Sequence, residues 1–167
     1  MGKPSQDLAV GYFPDLKRSN FFRQRLFTHY FVCLLRRDHP VRTRRLSLDQ
    51  FSGLGHAIVR AEGRSQELFE RFLESKHIHR RGVLFTTHFM SLPFILEPTD
   101  PVAVVPHAVG LAFAGRHTRL RTVELPMALP RFDLKQHWHR KFHGDAKNKW
   151  LRALVAELFN DAADEWK

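Results

Sequence analysis

A single cysteine among 167 residues rules out an internal disulfide. Cys33 lies in the apolar run Phe31 to Leu35, where a buried, unreactive thiol is expected. Long hydrophobic runs are missing as well. No stretch reaches the roughly 18 apolar residues that a membrane-spanning helix needs, and the opening Met1-Gly2-Lys3-Pro4-Ser5-Gln6 has no apolar signal core. The expectation is a cytoplasmic protein with no membrane partner. Glycine and proline are held to nine residues each against 15 phenylalanines, which excludes a disordered or fibrous chain. A chain of this length makes one domain or two small lobes and buries roughly 70% of its unfolded surface. Also absent are a Gly-x-Ser-x-Gly elbow, a phosphate-binding glycine loop and a dinucleotide fingerprint. Nothing in the spacing of the Ser, His and Asp residues supports an enzyme, and no cofactor is called for.

Positive charge is present in excess, with 27 Lys and Arg against 17 Asp and Glu and a formal charge of +10. Such a balance attracts polyanions. The arginines, however, fall in scattered turns such as Arg36-Arg37, Arg44-Arg45 and Arg80-Arg81, with no helix-turn-helix, zinc-finger or RNA-recognition signature among them. They read as solvated loop charge; direct nucleic-acid binding through that charge is the alternative reading. Eleven histidines raise the question of a metal, chiefly His137-x-His139 with His143. Strand alternation puts all three on one polar face beside Lys135 and Lys141, where cations disfavour a divalent ion, so no metal site is expected.

Periodicity gives the architecture. Leu8 to Phe13 reads as a strand buried on both faces, Arg25 to Leu35 as one long extended segment, and Leu48 to Phe51 as a brief helical turn. A repeat then follows of strand (His56 to Arg60), helix (capped by Ser65, with Leu68, Phe69, Phe72 and Leu73 on one face), strand (Val83 to Phe85), helix (capped by Thr87, His88 to Leu96, with Pro93 as a kink), strand (Val102 to Val105) and helix (His107 to Phe113). This is the signature of a parallel sheet with crossover helices. Leu120 to Leu125 is a returning strand. In Phe132 to Phe142, Phe132, Leu134, Trp138 and Phe142 alternate with polar residues; in Ala146 to Phe159, Trp150, Leu151, Leu154, Val155, Leu158 and Phe159 form one helical stripe.

In a parallel sheet every strand-to-helix turn lies at the carboxyl edge of the strands, where ligands bind. The turns Arg64-Ser65, Thr87-His88 and Pro106-His107 are therefore expected at one edge. The first offers helix amides and a guanidinium, a combination suited to a carboxylate.

Asp7-Leu-Ala-Val-Gly11, Arg25-Leu-Phe27, Val32-Cys-Leu34, Arg37-Asp-His-Pro40, Thr99-Asp100 before Val102-Ala-Val-Val-Pro106, Gln136-His-Trp-His139 and Asn148-Lys-Trp-Leu-Arg152 together resemble the effector-binding domain of LysR-type transcriptional regulators. The pair His88-Phe89 resembles the branch that responds to salicylate and nitroaromatic compounds. The resemblance implies an α/β fold of the type 2 periplasmic-binding-protein kind, two lobes joined by two hinge strands, with a small aromatic effector held in the cleft. It implies hinge crossings near Phe27 to Phe31 and Glu124 to Phe132, residues 1–26 and 125–167 as a partial, N-terminally truncated lobe one, and residues 27–124 as lobe two. Tyr30 takes the place of a hinge histidine in this comparison; the Arg64-Ser65 turn matches one that faces the effector, and His88 with Phe89 matches a pocket wall, while Thr87 and Pro106 join the candidate site through the turns at the sheet edge. It further implies homo-oligomers in the full-length family, and DNA contact only through a helix-turn-helix domain that is absent before Asp7.

Overall fold

The computed structural model describes residues 7–14, 16, 20–60, 64–116 and 119–160, with Arg64 described by its backbone alone. The elements run β1 (Ala9–Gly11), β2 (Phe21–His29), β3 (Phe31–Arg36), α1 (Leu48–Gly53), β4 (Gly55–Val59), α2 (Arg64–Ser75) and β5 (Arg81–Thr86). There follow a 3₁₀ turn (Phe89–Ser91), α3 (Leu92–Leu96), β6 (Ala103–Pro106), α4 (His107–Arg116), β7 (Leu120–Val123), β8 (Phe132–His139), a second 3₁₀ turn (Arg140–Phe142) and α5 (Ala146–Leu158). Two compact units result: one from the residues up to His29 and from Phe132 on, the other from Tyr30–Arg131.

The first unit is a three-stranded antiparallel sheet in the order β1-β8-β2. β8 is central, with Ala9 and Arg23 opposite His137 and Phe22 opposite Trp138. The expected two-face burial of Leu8 to Phe13 does not hold. β1 is a three-residue edge strand bonded on one side only, so Val10 stays 45% exposed. α5 starts at Asp145, whose carboxylate accepts from the Asn148 N–H at 2.7 Å. Its buried face also departs from the expected stripe, since Asn148 and Arg152 are the buried residues while Trp150 is 66% exposed. The polar contacts decide this. Asn148 Nδ2 donates to the Asp7 carbonyl at 2.7 Å, the Arg152 guanidinium lies 4.3 Å from the Trp138 ring centroid and donates to the His143 carbonyl at 3.3 Å, and Gln136 Nε2 donates to the Arg152 carbonyl at 3.1 Å. Buried polar groups with hydrogen-bond partners set this face, while Leu151, Leu154 and Val155 of the expected stripe are only partly buried.

In the second unit β3 runs antiparallel to β6 on one side and β7 on the other, while β4 and β5 are parallel. A parallel bridge from His56 to Val102, with Ala57 N–H donating to the Val102 carbonyl at 2.9 Å, joins β4 to the approach of β6. The parallel pattern thus applies to β5, β4 and β6, with β3 against it. The single extended segment expected from Arg25 to Leu35 is two strands broken at Tyr30, because β2 pairs with β8 and β3 pairs with β6 and β7.

The core between this sheet and its helices gathers Val32, Leu34, Val59, Leu92, Leu96 and Val105. Cys33 is fully buried, and desolvation pushes its thiol up to about 12, so no thiolate forms near neutrality. α4 lies close on β3 and β7: a Cβ on Gly110 would stand 2.6 Å from Val32 Cγ2 and 3.1 Å from Thr122 Cγ2. α1 is closed by a capping box, Gln50 N–H to Ser47 Oγ at 3.1 Å and Ser47 N–H to Gln50 Oε1 at 2.9 Å.

Candidate functional site

Register fixes where the strands of the second unit stop. Val59 stands opposite Thr86, and the Arg60 N–H donates to the Thr86 carbonyl at 2.7 Å. Pro106 stands opposite Phe31, and the His107 N–H donates to the Tyr30 carbonyl at 2.8 Å. The carboxyl ends of the three parallel strands, with Tyr30 at the start of β3, therefore share one edge, the usual place for ligands in such sheets.

Each turn at that edge differs from its sequence reading in detail. α2 already includes Arg64, so Ser65 is the second residue of the helix and not its cap; the Arg64 side chain lies outside the described residues. Thr87 is an exposed bend residue, and His88 takes the cap position of the 3₁₀ turn without a side-chain cap bond. Thr86 and Ser91 knit this turn instead. The Thr86 hydroxyl lies 2.8 Å from the Ser91 hydroxyl and accepts from the His88 N–H at 3.3 Å, and Ser91 Oγ donates to the His88 carbonyl at 2.7 Å. Thr87 and His88 are left exposed as a result. Phe89 is half-buried against the core cluster, so only part of its ring reaches the surface. Pro93 falls in the first turn of α3, where a missing N–H costs nothing, and so it marks the passage from 3₁₀ to α-helix. Pro106 is buried and closes β6.

Tyr30 is 39% exposed, and its ring stacks on the buried His107 imidazole at 4.1 Å with planes 9° apart. Burial pushes the His107 pKa down against a backbone hydrogen bond with Tyr30, and the Tyr30 N–H lies 3.4 Å from Nδ1. The Arg131 guanidinium lies 5.8 Å from the Tyr30 ring centroid. Tyr30 and Arg131 border a cavity of about 690 Å³ whose lining residues all belong to the second unit; Leu111, Met127, Leu129 and Arg44 line it with them. This cavity went unread in the sequence, where Arg44-Arg45 counted as solvated charge and Arg131 drew no comment.

Other histidines serve the scaffold. His39 Nε2 donates to the Asp100 carbonyl at 2.8 Å while its Nδ1 accepts from the Val41 N–H at 3.1 Å, and Arg36 pairs with the Asp100 carboxylate at 2.6 Å. The Arg37-Asp-His-Pro40 motif is thus a loop staple. The expectation that His137, His139 and His143 share a polar face is corrected. The 3₁₀ turn after β8 breaks the alternation and brings His143 Nδ1 under the Trp138 indole N–H at 3.2 Å. His137 is 4% exposed, against the Phe13 ring. Among the described residues no three His, Cys, Asp or Glu side chains gather to hold a metal ion.

Comparison with known proteins places this arrangement. The profile of the LysR substrate binding domain matches residues 4–160. The HTH-type transcriptional activator NagR of a Ralstonia species is 40% identical over 156 residues, which cover 93% of this chain and 51% of that protein. NahR of Pseudomonas putida is 37% identical over 156 residues with the same coverage. The chain spans about half the length of the curated relatives it matches. Among solved structures, the regulatory domain of MexT, a transcriptional activator in Pseudomonas aeruginosa, superposes with a TM-score of 0.76 at 25% identity, over 90% of this chain and 73% of that one. The Synechocystis PCC6803 CcmR regulatory domain in complex with 2-PG gives 0.75 at 10% identity, over 95% and 76%, a likeness of fold alone. With a family match over nearly its whole length and the mixed α/β architecture of these regulatory domains, the chain belongs to the LysR substrate-binding domain family, the effector-binding region of transcriptional regulators and not an enzyme family.

Proposed function

We propose that this chain senses a small aromatic carboxylate, or a similar anion, at the strand-end edge of the second unit. The observation that carries the reading is the register that brings the start of α2, the Thr87-His88 turn and the Tyr30-Pro106 pair to one edge. The first-turn amides of α2 at Arg64 and Ser65, with the Arg64 guanidinium, hold the carboxylate. His88 and Tyr30 supply hydrogen bonds, the exposed part of Phe89 meets the ring, and Thr87 and Pro106 complete the wall. The unit up to His29 and from Phe132 on acts as one lobe and Tyr30–Arg131 as the other. A ligand that binds one arrangement of the chain crossings at Tyr30 and Arg131 better than another shifts the population toward it. DNA contact belongs to a helix-turn-helix element of the kind the relatives' names carry, in a cytoplasmic homo-oligomer.

The test is a thermal melt of the chain with a panel of aromatic carboxylates and their neutral amides. A ligand that binds only the native state raises the midpoint by mass action. Arg64→Ala is expected to remove the shift given by the acid and to leave that of the amide. Equal losses for acid and amide would sink the anion role. Tight, steeply salt-dependent DNA binding by the chain alone would favour the basic nucleic-acid reading.

A further inference from the structure

We propose that the cavity inside the second unit is a second ligand site, which takes an amphiphilic carboxylate whose apolar body is larger than one aromatic ring. Size argues first. Its volume of about 690 Å³ falls within the roughly 300–1,000 Å³ of small-molecule sites, whereas about 150 Å³ suffices for a benzene ring. Lining chemistry argues next. Leu111 comes from α4, and Met127 and Leu129 come from the connector between β7 and β8, giving apolar walls from two separate stretches of chain.

Charge then fixes the polarity of the occupant. Three arginines and one glutamate, Glu124, border the cavity. Arg45 Nε is committed to the Leu125 carbonyl at 3.1 Å. Arg44 and Arg131 have no carboxylate partner among the described residues, and both are exposed at the rim. A guanidinium without a carboxylate partner beside an apolar wall matches a carboxylate in two-point geometry. The Arg44 wall is held in place by the Glu124 N–H donating to the Arg44 carbonyl at 2.8 Å and the Leu46 N–H donating to the Glu124 carbonyl at 3.0 Å. This site differs from the strand-end edge, which is built on Arg64, His88 and Phe89; Tyr30 is common to both. Its occupancy acts on Arg131, the last residue of the second unit, and so on the chain crossing itself.

Calorimetric titration of the whole chain with anthracene-2-carboxylate, decanoate and the neutral amide of each tests the proposal, and comparing the two acids separates a fused-ring body from an acyl chain. Binding of at least one acid is expected, tenfold or more above its amide. The double variant Arg44→Ala with Arg131→Ala should weaken that acid at least tenfold and its amide less than twofold. Leu111→Trp, or Met127→Trp should the first fail to fold, fills the cavity and should weaken both, whereas Lys149→Ala, at an exposed position of α5 in the first unit, should change neither by more than twofold. No binding of either acid up to millimolar concentration overturns the site, as does loss of binding in His88→Ala with the cavity variants unaffected. Single-ring acids titrated against the same variants read the strand-end edge separately, so each reading fails on its own evidence.

Discussion

The His107 imidazole is held face to face with Tyr30 at 4.1 Å and accepts the Tyr30 N–H through Nδ1 at 3.4 Å. Burial disfavours the charged ring, so the neutral imidazole is the stable form near neutrality. Burial is the main cause of its lowered pKa, a backbone hydrogen bond with Tyr30 opposes it, and Arg131 lowers it further. The imidazole shifts of His107 followed by NMR are expected to titrate below the ordinary histidine value of about 6.5. Titration at or above that value would show that burial does not govern this ring.

His56 gives a larger effect on stability. Its side chain is fully buried, lies edge-on to Phe51 at 4.7 Å, and donates through Nε2 to the Phe51 carbonyl at 2.7 Å; desolvation lowers its pKa to about 4. The unfolded chain, with a histidine pKa of about 6.5, binds this proton more readily than the folded one. Stability from this group is therefore fully present above about pH 6.5, declines as pH falls toward 4, and levels off below, a loss of roughly 3 kcal/mol. Burial of His107 and His137 lowers their pKa values and adds in the same direction. Urea unfolding at a series of pH values should show a shallower decline for His56→Gln, which can still donate to Phe51. Parallel profiles would disprove the assignment.

Arg80 tests how a buried charge is carried. Its side chain is 7% exposed, pairs with Glu70 and lies 5.0 Å over the Phe69 ring. Removing only the acid by Glu70→Ala leaves a buried guanidinium without its carboxylate; because Glu70 is 44% exposed, the expected cost is about 1–3 kcal/mol rather than that of a fully buried pair. Arg80→Met keeps the packing on Phe69 and removes the charge, and should cost far less. Chemical denaturation of both variants decides, and a larger loss in Arg80→Met would reverse the argument.

Gly110 is a test of close approach. A methyl there meets Val32 Cγ2 at 2.6 Å and Thr122 Cγ2 at 3.1 Å, neither at the end of a flexible side chain. Although alanine is the better helix former by about 1 kcal/mol, Gly110→Ala is expected to destabilise by roughly 1–3 kcal/mol through overpacking. A rise in the melting midpoint would mean that α4 can move away from β3 and β7 at little cost.

The element order was legible because buried strands and amphipathic helices of the second unit follow their periods closely, as in β4 and in α2 with its buried Phe69 and Leu73. Two kinds of feature escaped. Side chains with both apolar and polar parts changed the outcome of period counting, as when Arg152 lay down on Trp138 and turned α5 away from the Trp150 stripe. Pairing partners were invisible too, since nothing local tells that the chain changes sheets at Tyr30. The candidate edge was readable as a set of turns, while the Thr86–Ser91 contact and the cavity beside Arg131 depend on residues brought together only by the fold.

The chain passes into the second unit at Tyr30 and out of it at Arg131, and the side chains of those two residues touch, at 5.8 Å from guanidinium to ring centroid. A segment whose two ends meet behaves as an inserted cassette. Closing it on itself adds little loop entropy, and its hydrophobic core is its own. Residues 30–131 are therefore expected to tolerate joining by a short Gly/Ser linker, circular permutation, or grafting into a surface loop of another protein, carrying both proposed ligand sites with them.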